Sequence, residues 1–153
     1  MGGNGGGGWS SLGDVRALEE KAKAALQGGK RNVFISFAME DEDAVNLLRA
    51  HSKNEKSEIE FNDHSVREPY NSDRADYIRR KIAERINRTS ATVVYLSKNT
   101  AQSKWVEWEV KKSLELGKRV IAVHAGDNPT GKVPAWLDGI KIVAWKKLPD
   151  ELK

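Results

Sequence analysis

Cysteine is absent from the 153 residues, which removes disulfides, thiolate metal ligands and cysteine nucleophiles together. Histidine is nearly as scarce: His51, His64 and His124 are dispersed, without the ligand spacing that zinc requires, so no metal chemistry is expected. No apolar run approaches the ~20 residues that cross a bilayer, and the start of the chain has no basic segment followed by a hydrophobic stretch. A cytoplasmic protein without a membrane partner is therefore expected. An excess of one charge is missing too. The 26 basic and 22 acidic residues leave a net charge of +4 and are intermixed, with the densest basic group at Arg79, Arg80 and Lys81. Mixed charge of this kind describes a solvated surface, so nucleic acid is not an expected partner.

What remains, 39% hydrophobic and 31% charged residues, suits one soluble domain with a real core. Its organisation reads as a flexible glycine-rich tail plus amphipathic helix over 1–30, a domain over 31–147 and a C-terminal tail over 148–153. In the first part, Val15, Leu18, Ala22, Ala25 and Leu26 recur at helical spacing until Gly28 and Gly29 stop the helix. The run Asn32-Val33-Phe34-Ile35-Ser36-Phe37, apolar on both faces, predicts a buried strand of a parallel sheet. Glu40 to Asp43 then read as acidic charge opening a helix that runs to about His51. Ile59 to Phe61 predicts a second strand, and the polar loop from Asn62 to Asp73 is long enough to be functional. A helix with the stripe Ala75, Ile78, Ile82, Ile86 follows. Further strands are expected over Ala91–Leu96, Arg119–His124 and Ile140–Trp145. Alternating strands and helices imply right-handed βαβ units and a sheet covered on both faces. Ligands in such sheets bind beyond the carboxyl ends of strands, which points at the loops after Phe37, Phe61 and Leu96.

Glu109 is the strongest candidate for a working carboxylate. With Ser103 as cap, Trp105 and Glu109 fall at i and i+4 of one helix and share a face. Val106, Val110 and Leu114 form the neighbouring stripe, which would place Glu109 at the margin of a core, near the loop rim and partly desolvated. The plainer reading is a surface glutamate in a helix that also carries Glu107 and Glu115. Two other patterns fail on inspection. Gly126 to Lys132 fits a phosphate loop, but Val133 stands where a Ser or Thr would ligate magnesium, and Pro134 to Gly139 leaves room for one helical turn. A response-regulator phosphoacceptor needs an aspartate at the end of the third strand, where Leu96-Ser97-Lys98 supplies none.

Val33-Phe34-Ile35-Ser36-Phe37, the third strand ending in Leu96-Ser97, and Ser103-x-Trp105-x-x-x-Glu109 together resemble a TIR domain. Within that superfamily the chain is most similar to the compact bacterial TIR-like proteins of the Thoeris antiphage system, over roughly Asn32 to Trp145. The register is tightest from Trp105 to Lys118. This resemblance implies an α/β, flavodoxin-like three-layer fold with a central, mostly parallel five-stranded sheet. It also implies an enzyme that cleaves the nicotinamide–ribose bond of NAD+, a substrate rather than a bound cofactor, with Glu109 catalytic. Ser36, Phe37, Ala38, Asp63, Ser97 and Trp105 would form the nucleotide-binding surroundings, Phe37 and Ala38 shaping the nicotinamide-riboside end. The family usually carries Ser-Tyr or Ser-His after the first strand, where this chain has Ser36-Phe37-Ala38. The loop from Asn62 to Asp73 would serve self-association and gating, and the product, cyclised or otherwise modified ADP-ribose, would act on a separate effector protein. A non-catalytic TIR interaction module is the alternative.

Overall fold

The computed structural model describes residues 31–54, 59–63, 70–126, 129 and 131–152. The chain divides into two units at Arg31/Asn32, and the second is the one described. The amphipathic helix expected before Gly28 lies outside the described residues.

Strand β1, Arg31–Ser36, is buried along its last four residues. Its side chains alternate between faces. Val33 and Ile35 join a core with Val45 of α1 (Glu42–Asn54), while Phe34 packs with Ile78, Ile82 and Ile86 of α2 (Ala75–Asn87). Cover on both faces is why the run is continuously apolar instead of alternating. The other strands are β2 (Ile59–Asn62), β3 (Ala91–Tyr95), β4 (Arg119–His124) and β5 (Lys141–Ala144). Their order is β2-β1-β3-β4-β5, and the pairs β1/β3, β3/β4 and β4/β5 run parallel, with Ser36 opposite Val94. This is the flavodoxin-like winding, whose direction reverses between β1 and β3.

Helix α2 begins without a side-chain cap, a loss of about 1 kcal/mol. Burial of Ile82 and Ile86, both fully inaccessible, contributes about 1.5–3 kcal/mol each and outweighs it. Helix α3, Lys104–Glu115, covers the same face of the sheet, with Val106 and Val110 against Val94 and Leu96. Gly117 ends it at φ +74°: Lys118 N–H donates to the Ser113 carbonyl and Gly117 N–H to that of Leu114, a Schellman closure that favours glycine.

Several expectations need correction. Leu114 does not continue the buried stripe; it is 48% exposed, and Ser113 is fully buried in its place. The inward face of α3 runs through 106, 109, 110 and 113, and residue 114 turns away from it. Ser113 tolerates burial because its hydroxyl donates to the Glu109 carbonyl at 2.7 Å and meets Thr92 Oγ1 at 2.7 Å. Strand β5 is shorter than expected: Trp145 opens a 3-10 turn and stacks on Phe61, ring centroids 5.1 Å apart. Residues 148–153 were expected as a tail, yet Leu148, in the single-turn α4 (Leu148–Glu151), and Leu152 are both core residues. Among the described residues no helix is long and apolar enough to cross a membrane.

Candidate active site

Ser103 fixes the start of α3. Its backbone is extended and its Oγ accepts from Val106 N at 3.2 Å, satisfying one of the unpaired amides of the first turn. From that start, Glu109 falls in the second turn and faces the sheet, 4% exposed. Ser36, the last residue of β1, donates its hydroxyl to Glu109 Oε1 at 2.5 Å. The other carboxylate oxygen, Oε2, accepts no hydrogen bond among the described residues. The carboxyl therefore lies where β1 and β3 part, with one oxygen held and the other without a described partner.

Burial raises the Glu109 pKa from 4.5 to about 8, the Ser36 hydrogen bond opposes that rise, and the charge of Asp63 adds to it. A single neutral donor does not replace the hydration of a carboxylate, so the proton is retained. Asp63 is itself fixed: Arg49 reaches its Oδ2 at 2.9 Å and the Phe61 carbonyl at 2.9 Å.

The expected neighbours are distributed as follows. Ser36 and Asp63 act on Glu109 directly, one by hydrogen bond and one through its field. Phe37 packs against the core on the α1 side, and Ala38 is buried with its carbonyl accepting from Asp41 N. Trp105 packs beside the Phe34, Ile78, Ile82, Ile86 cluster. Its ring meets Tyr70 edge-on at 5.1 Å, and the Arg79 guanidinium lies 4.5 Å from the Tyr70 ring and 5.7 Å from Trp105. Trp105 is thus a wall between α3 and the end of the loop after β2; residues 64–69 of that loop lie outside the described residues.

Ser97 reveals what the sequence reading missed. It donates to Asp41 Oδ2 at 2.5 Å, and Asn99 Nδ2 donates to Asp41 Oδ1 at 2.8 Å. The acidic run was read as helix-start charge, which suits the exposed Glu40 and Asp43 but not Asp41, 7% exposed. The signal was available in its position, just past a strand end that the switch-point rule had marked. Asn99, Thr92 and Ser113 carried no signal, because single polar residues are recognised as buried only once their partners are placed. In the loop from Gly126 to Lys132, residues 127, 128 and 130 lie outside the described set. Gly131, at φ +84°, leaves no room for a Cβ, which would lie 2.6 Å from the Lys98 Cα, and before β5 a single 3-10 turn, Ala135–Leu137, follows in place of a helix. Among the described residues no group of three or more His, Asp or Glu could hold a metal ion.

Comparison with known proteins bears on this geometry. The family model for the Thoeris protein ThsB, TIR-like domain, matches residues 34–130, more than half of the chain. The chain belongs to the ThsB TIR-like family. The matched segment of this ThsB TIR-like domain runs from β1 past β4 and contains Ser36, Asp41, Ser97, Asn99 and Glu109. A curated relative from Bacillus cereus (strain MSX-D12), named "Putative cyclic ADP-D-ribose synthase ThsB1", is 32% identical over 98 residues, which is 61% of this chain and 51% of that protein. The chain thus spans about half the length of the curated relative it matches. Among solved structures, a 2-deoxyribosyltransferase from Bacillus psychrosaccharolyticus aligns with a TM-score of 0.56 at 15% identity, over 78% of this chain and 90% of that one. That likeness concerns the α/β fold alone. The TIR domains of the activated Roq1 resistosome align with a TM-score of 0.44 at 23% identity, over 65% and 60% of the two chains.

Proposed function

We propose that this ThsB TIR-like domain cleaves the nicotinamide–ribose bond of NAD+ and releases an ADP-ribose-derived signal in bacterial antiphage defence, with Glu109 as the catalytic residue. The observation that carries the reading is a buried carboxyl at the β1/β3 switch point, held by Ser36 through one oxygen, with no partner on the other among the described residues. The name of the curated relative supports the same chemistry.

In this reaction the bond between ribose C1′ and the pyridinium nitrogen breaks, its electron pair passing to nitrogen, so nicotinamide leaves neutral. No acid is needed to protonate the leaving group, unlike the paired carboxylates of glycoside hydrolysis. Positive charge develops on the ribose. Glu109 would bind the ribose hydroxyls through Oε2 and stabilise the oxocarbenium-like transition state, worth several kcal/mol where water is excluded. Attack by an adenine ring nitrogen closes a cyclic product; attack by water, which then loses a proton, gives ADP-ribose.

The pKa of about 8 belongs to the free site. A cationic nicotinamide riboside beside the carboxyl favours its ionised form, so binding would release a proton and kcat/KM would rise with pH until about 8. NAD+ enters as substrate and no resident cofactor is proposed. Self-association through TIR surfaces and a separate effector answering the nucleotide product complete the proposal, in the cytoplasm. The interaction-module alternative draws support from the near-complete burial of Glu109, which leaves little open access in this state.

The test is nicotinamide release from NAD+ by concentrated protein, products resolved by mass, with Glu109→Gln alongside. Release by the parent chain alone supports the enzyme, and a product lighter than ADP-ribose by one water identifies cyclisation. Equal release by both proteins, or by neither when the protein is clustered, counts against it.

A further inference from the structure

Of the four consecutive acids Glu40 to Asp43, only Asp41 is buried. Both of its oxygens accept, Oδ2 from the Ser97 hydroxyl and Oδ1 from the Asn99 amide, the arrangement of an ionised, acceptor-only carboxylate. No lysine, arginine or histidine pairs with it among the described residues. Its negative charge is shared with two neutral donors and the start of α1, and no described cation cancels it. Its donors are fixed in turn: Asn99 N–H donates to Ser97 Oγ at 2.9 Å, Ser97 N–H to Thr100 Oγ1 at 2.8 Å, and Thr100 Oγ1 to the Tyr95 carbonyl at 2.9 Å.

The placement of this charge matters. Asp41 belongs to the turn after β1, and Ser97 and Asn99 to the loop after β3, so the link ties together the loops at the carboxyl ends of the two strands at whose switch point Ser36 holds Glu109. Its field extends beyond its own partners, since Asp41 adds to burial in pushing up from 10.0 the hydroxyl of Tyr95, which packs in the core with Val45 of α1. A fixed negative charge beside a binding site discriminates between ligands of equal shape and unequal charge.

We propose that Asp41 is a specificity-determining residue that selects the cationic pyridinium form of the dinucleotide over its neutral dihydropyridine form. The inference rests on the proposed function, where only the cationic form has a leaving group that departs neutral. A site without this preference would be occupied by NADH, which it could not cleave. Asp41 does this through its charge and need not touch the reacting atoms. The Ser97 and Asn99 donors keep that charge at the crevice.

Asp41→Asn keeps the shape and removes the charge. Asp41→Glu keeps the charge on a longer arm, and Ser97→Ala keeps the charge while dropping one donor. Expected for Asp41→Asn are a KM for NAD+ raised about three- to tenfold, as for one charge several ångströms away at intermediate dielectric, a smaller change in kcat, and NADH and ADP-ribose binding unchanged or tighter. Asp41→Glu and Ser97→Ala should retain most of the preference for NAD+ over NADH. An equal loss for NAD+, NADH and ADP-ribose in Asp41→Asn would reduce Asp41 to a structural clamp and overturn the proposal. So would loss of the preference in Ser97→Ala, which also serves as the test if Asp41→Asn fails to fold. A parent protein that neither binds nor cleaves NAD+ overturns the functional reading and this inference together; one that does both, beside an Asp41→Asn variant of unaltered preference, overturns this inference alone.

Discussion

Two buried carboxyls flank the crevice between β1 and β3, and each accepts a serine hydroxyl at 2.5 Å from the carboxyl end of a strand. They differ in how completely they are bound. Asp41 has a donor on each oxygen and lies on a turn tied to the loop after β3, whereas Glu109, carried on helix α3, has among the described residues a donor on Oε1 only. Full engagement suits a group that holds two loops and maintains a fixed charge. A half-engaged carboxyl, short of donors and pushed to about 8, keeps the capacity to bind something else. Burial alone, 4% against 7% exposure, would not have told them apart; the donor count does.

The largest expected effect tests this division of labour. Glu109→Gln should lower nicotinamide release by about 10²–10³-fold or more, the usual loss when a transition-state electrostatic partner is removed, while NAD+ binding measured by calorimetry persists. Loss of binding without that loss of turnover per bound substrate would make Glu109 the holding group and erase the contrast with Asp41.

The same substitution has a stability signature. Because the folded-state pKa of Glu109 is raised from 4.5 to about 8, its contribution is fully present below 4.5 and is lost as pH rises through 8, at up to about 1.4 kcal/mol per pH unit. Gln at 109 cannot ionise. The difference in urea midpoint between Glu109→Gln and the parent chain should therefore move in favour of the variant from pH 5 to pH 8 and then level off. A difference independent of pH would mean that the carboxyl is not held protonated in the folded state.

Much of this arrangement was readable before any coordinates. Continuous apolar runs marked the buried strands, and the Ser103 cap started α3 where expected, but the stripe Val106, Val110, Leu114 left Glu109 at the margin of the core, whereas the structure buries it. The stripe failed at Leu114 because one residue of rotation separates it from Ser113, and a serine with two buried partners is indistinguishable in sequence from a surface serine. Asp41 was hidden for a related reason. Four adjacent acids look alike until the chain reversal after β1 turns one of them inward, and its partners Ser97 and Asn99 lie 56 and 58 residues away.

Gly131 offers a way to disturb one carboxyl without the other. A Cβ there would lie 2.6 Å from the Lys98 Cα, and its φ of +84° already disfavours alanine. Lys98 is the residue between the two donors of Asp41. Gly131→Ala should cost about 1–3 kcal/mol by denaturant melt and alter the NAD+ over NADH preference, leaving the pH inflection assigned to Glu109 where it is. Movement of that inflection instead would show that the two sides of the crevice are mechanically one.

Ser36→Ala should have the smallest effect at neutral pH and is the most specific probe of the half-engaged carboxyl. The Ser36 hydroxyl opposes the upward shift of Glu109, so its removal should carry the inflection of kcat/KM above about 8. While Glu109 is protonated the lost bond is a neutral one, worth about 0.5–1.5 kcal/mol; once ionised, the carboxylate loses a bond worth about 1.5–3 kcal/mol. The destabilisation should therefore grow from pH 6 to pH 9, opposite in sign to the trend for Glu109→Gln over the same range. If the two variants instead drift together, the proton lies on some group other than Glu109, and the raised carboxyl loses its place in the comparison with Asp41.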